Sequence, residues 1–480
     1  MILPFIILIP VIAGLVMVFL RNEVIAKWLG LIASFALLAT VIYAIHLASA
    51  GFGVLQFSKP WLGGLNSSFA FLFDGPAKIL TLLTAFTYPV ILIATWNNRY
   101  HNAPVYYGLL MLSIAGMLGV FLASDALLFY FFWELALIPM YFLCGRWGGE
   151  NRLRITFKFF IYTFVGSLIM LLGVIYLYSK TPDASFAWES FKNVTLTLQE
   201  QNWFFWFFFI AFAVKMPIFP LHTWQPDTYD MAPTSTTMVL SGIMVKMGLF
   251  GVVRWLLPVF PEQALNFGNF IITISLIGLV YASVIAIQQD NIKRLIAFSS
   301  IAHIGLMNAA LFTGDPMAAQ GAYFQFFSHG VNVIGLWIVV DIIEQQTGVT
   351  QISKLGALAT KAPWLTAVLI VIVMANIALP LTNGFVGEFL MLNGLFNHKV
   401  LFGVFGTLTI ILAAIYLLGF VRKAFYGTTS NKIMFSEMSP YQAAALIFLV
   451  VLILVFGLFP QQLLDLGSET LVELTAGTGK

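Results

Sequence analysis

The segment Phe209-Ile-Ala-Phe-Ala-Val-Lys-Met-Pro-Ile-Phe-Pro-Leu-His222 is apolar enough to lie in a membrane, yet it contains a lysine and two prolines. Lys215 lies inside the segment, and Pro217 and Pro220 follow it closely. Lipid satisfies neither a bare ammonium nor the backbone groups that proline leaves without a partner. Such a segment is stable only inside a helix bundle or beside internal water. It therefore predicts a functional site within a larger membrane protein.

The composition of the whole chain agrees with this interpretation. Of its 480 residues, 60% are hydrophobic and only 9% are charged, and there is one cysteine, Cys144. A soluble protein of this length needs more charge to cover its surface. Apolar runs of about 20 residues recur along the chain, which predicts an all-α polytopic membrane protein. A single cysteine excludes an internal disulfide and an all-cysteine iron–sulfur cluster held by this chain alone. No basic patch suggests nucleic-acid binding.

The apolar runs predict about 14 transmembrane helices. The first, from Met1 to Leu20, has no obvious cleavage site and is interpreted as a retained span. The predicted spans are 1–20, 27–48, 77–96, 106–123, 125–145, 155–178, 203–222, 236–257, 268–288, 294–313, 320–343, 364–396 (broken), 401–422 and 442–460. The two longest connections, 49–76 and 179–202, are predicted to be loops.

The distribution of positive charge predicts the orientation in the membrane. With an even number of spans, both termini lie on the same side. The connections on the opposite side carry 14 Lys and Arg residues, against 6 on the terminal side. Because cytoplasmic loops are enriched in positive charge, we expect a multi-pass protein of the cell inner membrane with both termini in the periplasm.

A weak internal repeat is visible among the spans. Spans four to eight and spans nine to thirteen each contain a broken helix as their fourth member. The second break is Leu379-Pro-Leu-Thr-Asn-Gly384. Five is odd, so consecutive five-span units have opposite orientations, as in the inverted repeats of transporters. We therefore expect N-terminal helices in 1–100, a first repeat in 101–260, a second repeat in 261–425, and a C-terminal helix and tail in 426–480.

Six ionisable side chains lie deep within the predicted spans. They are Glu134, Lys215, Lys246, His303, His329 and Glu388. A lysine or an acid at the centre of a membrane helix costs about 2.5–3.5 kcal/mol. Pairing or internal water must offset that cost. Neutral imidazoles and water pass protons between groups that exchange charge states, so the series predicts a proton relay.

The first two residues of the series suggest a switch. A lysine beside a carboxylate keeps its proton, whereas the same lysine without its partner releases the proton more readily because its charge is buried. Closing and opening a Glu134–Lys215 pair would therefore control proton transfer to Lys246.

Each residue also has a plain structural interpretation. Glu134 and Lys215 would form an ion pair that transports nothing, and Lys246 would extend its stem to an interface. The two histidines would be hydrogen-bonded packing residues. Glu388 would cap N–H groups freed by the helix break.

Two further charged residues lie near span ends. Lys78 is interpreted as a lysine that extends to the membrane surface. Asp125 either caps the helix that follows it or receives protons. The sequence does not decide between these two roles of Asp125.

Several motifs resemble the antiporter-like subunits of respiratory complex I, which are related to Mrp-type sodium/proton antiporters. The similarity runs from about residue 70 to 425. The motifs are Phe131-Phe-Trp-Glu-Leu, Lys215-Met-Pro-Ile-Phe-Pro-Leu-His-Thr-Trp-Gln-Pro-Asp227, Ala232-Pro-Thr, Lys246-Met-Gly, Asp290-Asn-Ile-Lys-Arg-Leu-Ile-Ala-Phe-Ser-Ser300 and Gly384-Phe-Val-Gly-Glu-Phe389. Glu388 is the position that distinguishes the branches of this family. With a glutamate at this position the chain resembles one branch of the complex I subunits, since the sister subunits and the Mrp subunits usually carry lysine.

The resemblance implies a fourteen-helix core with two inverted five-helix repeats. It also implies that Glu134 pairs with Lys215, that Lys246 is the central relay, and that the histidines extend the path. Glu388 would join the outward half-channel. The implied partners are sister membrane subunits of one complex, together with the lipid bilayer and protons. No cofactor or metal is expected in this chain, because flavin, iron–sulfur clusters and quinone belong to other subunits.

The implied function is proton translocation by the membrane arm of a proton-pumping NADH:quinone oxidoreductase. Two alternatives within the same fold remain at this point: a subunit of an Mrp-type sodium/proton antiporter, and a subunit of a related ion-pumping hydrogenase complex. A purely structural membrane spacer is a third, but a spacer needs no buried charges. Glu388 favours the oxidoreductase over the antiporter.

Overall fold

The protein is a bundle of membrane-length helices. The computed structural model describes residues 2–428 and 434–476. The helices of the first half are α1 Leu3–Phe19, α2 Glu23–Leu47, α3 Gly75–Ala94, α4 Ala103–Leu122, α5 Ala126–Trp147, α6 Arg152–Lys180, α7 Trp188–Lys192, α8 Leu198–Lys215, α9 Gln225–Met231, α10 Thr234–Val239, α11 Lys246–Gly251 and α12 Leu257–Val259. Those of the second half are α13 Pro261–Gln288, α14 Ile292–Leu311, α15 Pro316–Thr347, α16 Leu358–Lys361, α17 Pro363–Asn376, α18 Asn383–His398, α19 Val400–Ala424, α20 Pro440–Leu458 and α21 Gln461–Ala476.

The membrane character and the helical architecture are confirmed. Within the described residues, 11 helices are long and apolar enough to cross a membrane, and two shorter apolar helices are Leu3–Phe19 and Pro363–Asn376. Each predicted span contains a helix, and the helical bounds differ from the predicted ones by a few residues. Two π-helical segments, Leu240–Met244 and Val252–Leu256, join α10, α11 and α12 into one span, Thr234–Val259.

The helices that carry the predicted site form the centre of the bundle. The most apolar 18 residues of the span Thr234–Val259 and of α15 are all buried, and 94% of those of α14 are buried. By contrast, α2, α6, α19 and α20 bury only 28–39% of their apolar windows and present leucine, isoleucine and phenylalanine side chains outward. The outer helices thus meet lipid or neighbouring proteins, and the central helices are shielded from both.

Both predicted helix breaks are present. Helix α8 ends at Lys215, and the chain becomes helical again at Gln225. The second break lies between α17 and α18, where Ala378 and Leu381 adopt positive φ angles of 55° and 75°. Positive φ is unfavourable for residues with a Cβ, so the surrounding structure must hold this break open.

The connection 49–76, predicted to be a loop, forms a β-hairpin instead. Strand β1 (Leu55–Leu62) pairs antiparallel with β2 (Ser67–Phe73), and Leu55 lies opposite Phe73. Phe69 and Phe71 contact each other edge to face at 4.8 Å between ring centroids. Aromatic residues at alternate positions favour a strand whose face packs on a protein surface. The prediction of an all-α chain was therefore incomplete.

The two halves share one local arrangement. Asp125 caps α5 and forms an antiparallel bridge with Ala187, which follows α6. Asn291 caps α14 and forms an antiparallel bridge with Gln351, which follows α15. These positions correspond in the two predicted five-span units. The inverted repeat and the domain boundaries drawn from it stay predictions.

The C-terminal helix α21 packs against the bundle instead of leaving it. A Cβ added at its Gly467 would lie 3.3 Å from Cδ1 of Ile79 on α3 and 3.4 Å from Cδ2 of Tyr323 on α15, so α21 lies close to both helices. The helix therefore covers one end of the two central helices.

Candidate functional site

Lys246 is fully buried at the point where a π-helical segment returns to α-helix. Its ammonium donates to the Ser241 carbonyl oxygen at 3.0 Å and lies 2.9 Å from Nδ1 of His329. Single-turn π segments in α-helices occur often at functional sites. Lys246 therefore does not extend to the membrane surface. Its ammonium group contacts a histidine from another helix instead.

Three more of the predicted residues continue from this contact. The rings of His329 and His303 lie 5.6 Å apart between centroids. Nδ1 of His303 lies 3.1 Å from Oε1 of Glu388, without the alignment of a hydrogen bond. Each of these side chains is at most 3% exposed. Helices α11, α15, α14 and α18 thus bring four titratable groups into one continuous series.

Glu388 is not a helix cap. It lies more than a turn inside α18, which begins at Asn383, and its oxygens accept no hydrogen bond from described residues. Within the part of the chain that the structure describes, the one basic side chain within 4 Å of its carboxylate is the imidazole of His303. The capping interpretation of Glu388 was therefore wrong.

Glu134 and Lys215 are not brought into contact. Lys215 is buried, and its ammonium lies 5.4 Å from the centre of the Trp133 ring. Glu134, the next residue on α5, is half-buried on the outer surface of this chain. The implied direct pair is absent because the lysine points to the indole face, where a cation is attracted by the ring electrons. The closed pair stays a prediction.

Buried polar atoms without protein partners surround the second break. Among the described residues, neither amide atom of Asn383 has a hydrogen-bond partner. Oε1 of Gln325 and Oδ1 of Asn332 also have none. Asn332 does donate to the Ala375 carbonyl oxygen at 3.4 Å, near the end of α17, where the Ala378 N–H also donates to it at 3.3 Å. Buried polar groups are nearly always satisfied by protein or by ordered water. The surroundings of Glu388 are therefore suited to internal water.

The first break is satisfied in a similar way. The indole N–H of Trp224 donates to the Val214 carbonyl oxygen at 2.9 Å, close to the end of α8. The Ile218 N–H donates to the Ala213 carbonyl oxygen at 2.9 Å, so an aromatic side chain of the same chain satisfies the Val214 carbonyl oxygen instead. This is how membrane proteins tolerate irregular backbone at depth.

The two residues near span ends have clear positions. Asp125 accepts from the N–H groups of Leu127 and Leu128, both at 3.0 Å, and from Ser67 at 3.0 Å. Its capping role is thus confirmed, and burial raises the pKa of Asp125 above its usual value. Lys78 is only 2% exposed. The prediction that Lys78 extends to the membrane surface was wrong, because α3 is surrounded by protein.

Sequence reasoning missed a buried ion pair. Nη2 of Arg254 lies 2.5 Å from Oδ1 of Asp74, and the two side chains are 2% and 9% exposed. Arg254 lies inside the predicted span 236–257 and Asp74 inside the predicted loop 49–76, and neither was among the candidate site residues. The signal that was available is Arg254 itself, which lies only three residues from the end of a predicted span.

A second polar cluster, also missed, lies at the opposite end of the bundle. Asp341 on α15 is 2% exposed and accepts from Nδ2 of Asn98 at 3.2 Å. Lys293 pairs with Glu344 at 2.7 Å. Lys27, at the start of α2, donates to the Asn98 carbonyl oxygen at 3.4 Å, which places the cluster beside the connection between the first two helices. Asp341 was detectable as an acid inside a predicted span.

No group of three or more His, Cys, Asp or Glu residues in the described ranges is arranged to hold a metal ion.

The chain is similar to known membrane subunits along almost its whole length. Residues 123–413 match the family model "NADH:quinone oxidoreductase/Mrp antiporter, TM". A protein of Rickettsia conorii named NADH-quinone oxidoreductase subunit M is 36% identical over 418 residues, which covers 86% of this chain and 84% of that protein. The subunit M of Escherichia coli is 33% identical over 492 residues, covering 97% and 96%. A chain of respiratory complex I from Thermus thermophilus superposes with a TM-score of 0.90 at 26% identity, covering 99% of this chain and 100% of that one.

Proposed function

Since the chain belongs to the NADH:quinone oxidoreductase/Mrp antiporter family, with subunit M of NADH-quinone oxidoreductase among its relatives, we propose that it translocates protons in the membrane arm of such an oxidoreductase. The observation that carries the proposal is the series Lys246–His329–His303–Glu388, in which each member lies next to the following one. Four titratable groups from four helices in a protein interior are costly. A spacer between subunits needs none of them.

The geometry supports transfer in defined steps. The Lys246 ammonium gives a proton to Nδ1 of His329, with which it is in hydrogen-bond distance. The imidazole releases its other ring proton toward His303, and a water bridges the gap between the two rings. His303 then delivers a proton to Glu388. After one transfer Lys246 is a neutral amine, and each imidazole carries its proton on the other ring nitrogen. Reprotonation of Lys246 and exchange of the two tautomers through water or ring rotation reset the series for a second proton.

Glu134 and Lys215 act before this series in the proposal. The rings of Trp133 and Phe212 pack together between their helices, and Glu134 is half-buried in this chain. In the proposal a neighbouring subunit covers the exposed part of Glu134. When the carboxylate approaches Lys215, the ammonium is stabilised; when it withdraws, the buried ammonium gives up its proton to water leading to Lys246. The switch would thereby couple this chain to events in the next subunit.

The chain supplies no redox step in this proposal. Electron transfer takes place in other subunits of the complex, and sister antiporter-like subunits are the partners. We place the chain in the cell inner membrane with both termini in the periplasm, because the positive charges of the connections lie predominantly on the other side.

The test is proton pumping by the assembled complex in inverted vesicles. Lys246→Gln keeps a side chain of similar length and removes the titratable group, so we expect assembly on native gels with pumping reduced at least about tenfold. Lys399→Gln is the control, because Lys399 is exposed. Normal pumping by Lys246→Gln would refute the proposal. Uptake of radioactive sodium that depends on this chain would support the antiporter instead.

A further inference from the structure

A chain of buried hydroxyl groups connects the polar cluster around Asp341 with the helix that carries Lys246. The phenol of Tyr100 lies 2.8 Å from Oγ of Ser235, and the phenol of Tyr106 lies 2.5 Å from the same Oγ. Tyr106 also lies 2.8 Å from Oγ1 of Thr236. Ser235 and Thr236 begin the span that contains Lys246 ten residues later. Hydroxyls donate and accept at once, so such a chain is chemically able to pass a proton.

An acid stands at the outer end of these hydroxyls. Nδ2 of Asn98 donates to both oxygens of Asp341 at 3.2 Å and lies 3.4 Å from the Tyr100 phenol. The carboxylate and the phenol therefore share the Asn98 amide as a hydrogen-bond donor. They are close enough for a single water to bridge them. The other groups that face Asp341 are Glu344 and Gln345 on α15, and Lys293 on α14.

The cluster reaches the solvent through Glu344. Its side chain is 31% exposed, pairs with Lys293 at 2.7 Å, and accepts from the Thr234 hydroxyl at 2.9 Å. A partly exposed carboxylate beside a buried one is suited to collect protons from water. Thr234 directly precedes Ser235, so the Glu344 carboxylate lies beside the start of the hydroxyl chain.

Unpartnered polar atoms continue inward from the same cluster. Trp337 lies one helical turn from Asp341 toward His329, and its indole N–H has no partner among the described residues. The Tyr229 ring lies 6.0 Å from the Trp337 ring, and its hydroxyl is likewise unpartnered, as are both amide atoms of Gln225. Tyr229 and Gln225 are fully buried. Buried polar atoms of this kind are normally satisfied by ordered water.

We propose that Asp341 is a proton-uptake group of this chain, and that the hydroxyls of Tyr100, Ser235, Tyr106 and Thr236, with water beyond them, deliver protons to Lys246. The inference rests on the proposed function. In each step an oxygen accepts one proton and releases another to its neighbour, so the hydroxyls are unchanged afterwards. The net result is one proton taken from water and one neutral Lys246 amine converted to an ammonium.

The phenol of Tyr100 acts by relay and does not hold a charge. Burial and the Asp341 carboxylate raise the pKa of Tyr100 to about 12. At neutral pH the phenol therefore stays protonated and passes a proton only while it receives another. A phenylalanine in its place keeps the ring stacked on Tyr106, at 3.8 Å between centroids, and breaks the chain.

The test compares three tyrosines in the assembled complex reconstituted in liposomes, with NADH-driven membrane potential as the readout. Tyr100→Phe and Tyr106→Phe each remove a hydroxyl of the chain. Tyr107→Phe is the matched control, because Tyr107 packs edge to face on both rings, is buried, and takes no part in the hydroxyl chain. We expect severalfold loss of pumping in the first two variants and none in the control. Equal behaviour of all three would overturn the proposal.

Asp341→Asn provides the second arm. Asparagine preserves the shape and removes the titratable group, so pumping should fall at least tenfold, and Asp341→Glu should retain it. Formate, a small weak acid, should restore part of the lost activity by carrying protons into the site, which it does not do for a merely structural defect. Loss without rescue, or normal pumping, would overturn the proposal. If Asp341→Asn pumps normally while Lys246→Gln does not, only the uptake route is wrong.

Discussion

The ammonium of Lys246 lies 2.9 Å from Nδ1 of His329, although the two residues are 83 positions apart in the chain. Both are fully or almost fully buried. A lysine that faces a histidine in a protein interior has no permanent countercharge there. The arrangement is unfavourable for a static ion pair and favourable for a group that gains and loses one proton in each cycle.

We expect Lys246→Arg to fail in proton transfer despite keeping the positive charge. A guanidinium keeps its proton at every physiological pH, so it has none to give to His329. Pumping should fall at least about tenfold, since positioned proton transfer groups contribute factors of this size or larger. The measurement is dye-quench pumping in inverted vesicles, with assembly followed on native gels. Full activity of the arginine variant would mean that the charge of Lys246 matters and its proton does not.

We expect Glu134→Ala to leave the complex assembled and to abolish its pumping. Glu134 is half-buried, its carboxylate is near the Ser167 hydroxyl, and Lys215 is beyond ion-pair distance. Its removal therefore breaks no ion pair of this chain, and the loss of stability should be about 1 kcal/mol, the usual contribution of one hydrogen bond. The control is Glu262→Gln, an exposed acid at the start of α13. A Glu134→Ala complex that pumps at the wild-type rate would argue against the switch.

The membrane environment explains which features were predictable from the sequence. Spans and breaks were found because lipid forbids unsatisfied backbone and isolated charge, so Lys215 beside two prolines is informative by itself. The choice of residues for the series followed from the same cost. Their order and their distances did not. Nothing in the sequence shows that Lys246 contacts His329 and not His303. Nor does it show that His303 contacts Glu388 while Glu134 stays apart from Lys215.

Other features left little or no local signal. Asp74 and Arg254 are 180 positions apart and form one buried pair. Tyr100, Tyr106 and Ser235 cost little in a membrane protein, so their chain of hydroxyls did not stand out. Lys78 was misjudged because its exposure depends on which helices surround α3, and this is decided only by the packing of the whole bundle.

We expect Gly384→Ala to disrupt the second helix break. A Cβ on Gly384 would lie 2.0 Å from the Ala375 carbonyl oxygen, so α17 and α18 would have to separate. Overpacking of this kind costs about 1–3 kcal/mol. Glu388 lies one turn further along α18 and would shift relative to His303, so pumping should fall together with thermal stability.

The control for that change is Gly419→Ala on α19. Apart from its own helical turn, no described residue has an atom within 4 Å of the position of its Cβ, so the alanine fits without movement and should raise helix stability slightly. Both variants are measured by thermal unfolding of the purified complex and by pumping. Equal behaviour of the two variants would show that the close approach at Gly384 is not needed.

We expect Arg254→Gln to be strongly destabilising, since it leaves the buried Asp74 carboxylate without its cation. Removal of one partner of a buried pair costs about 3–5 kcal/mol. The double variant Asp74→Asn, Arg254→Gln removes both charges and should recover much of that loss, because no isolated charge remains. Thermal unfolding and the yield of assembled complex measure both, with Arg422→Gln at an exposed site as the control. Additive losses from the two single changes would show that Asp74 and Arg254 do not stabilise each other, and that the position of Arg254 over the rings of Trp188 and Phe250 accounts for its effect.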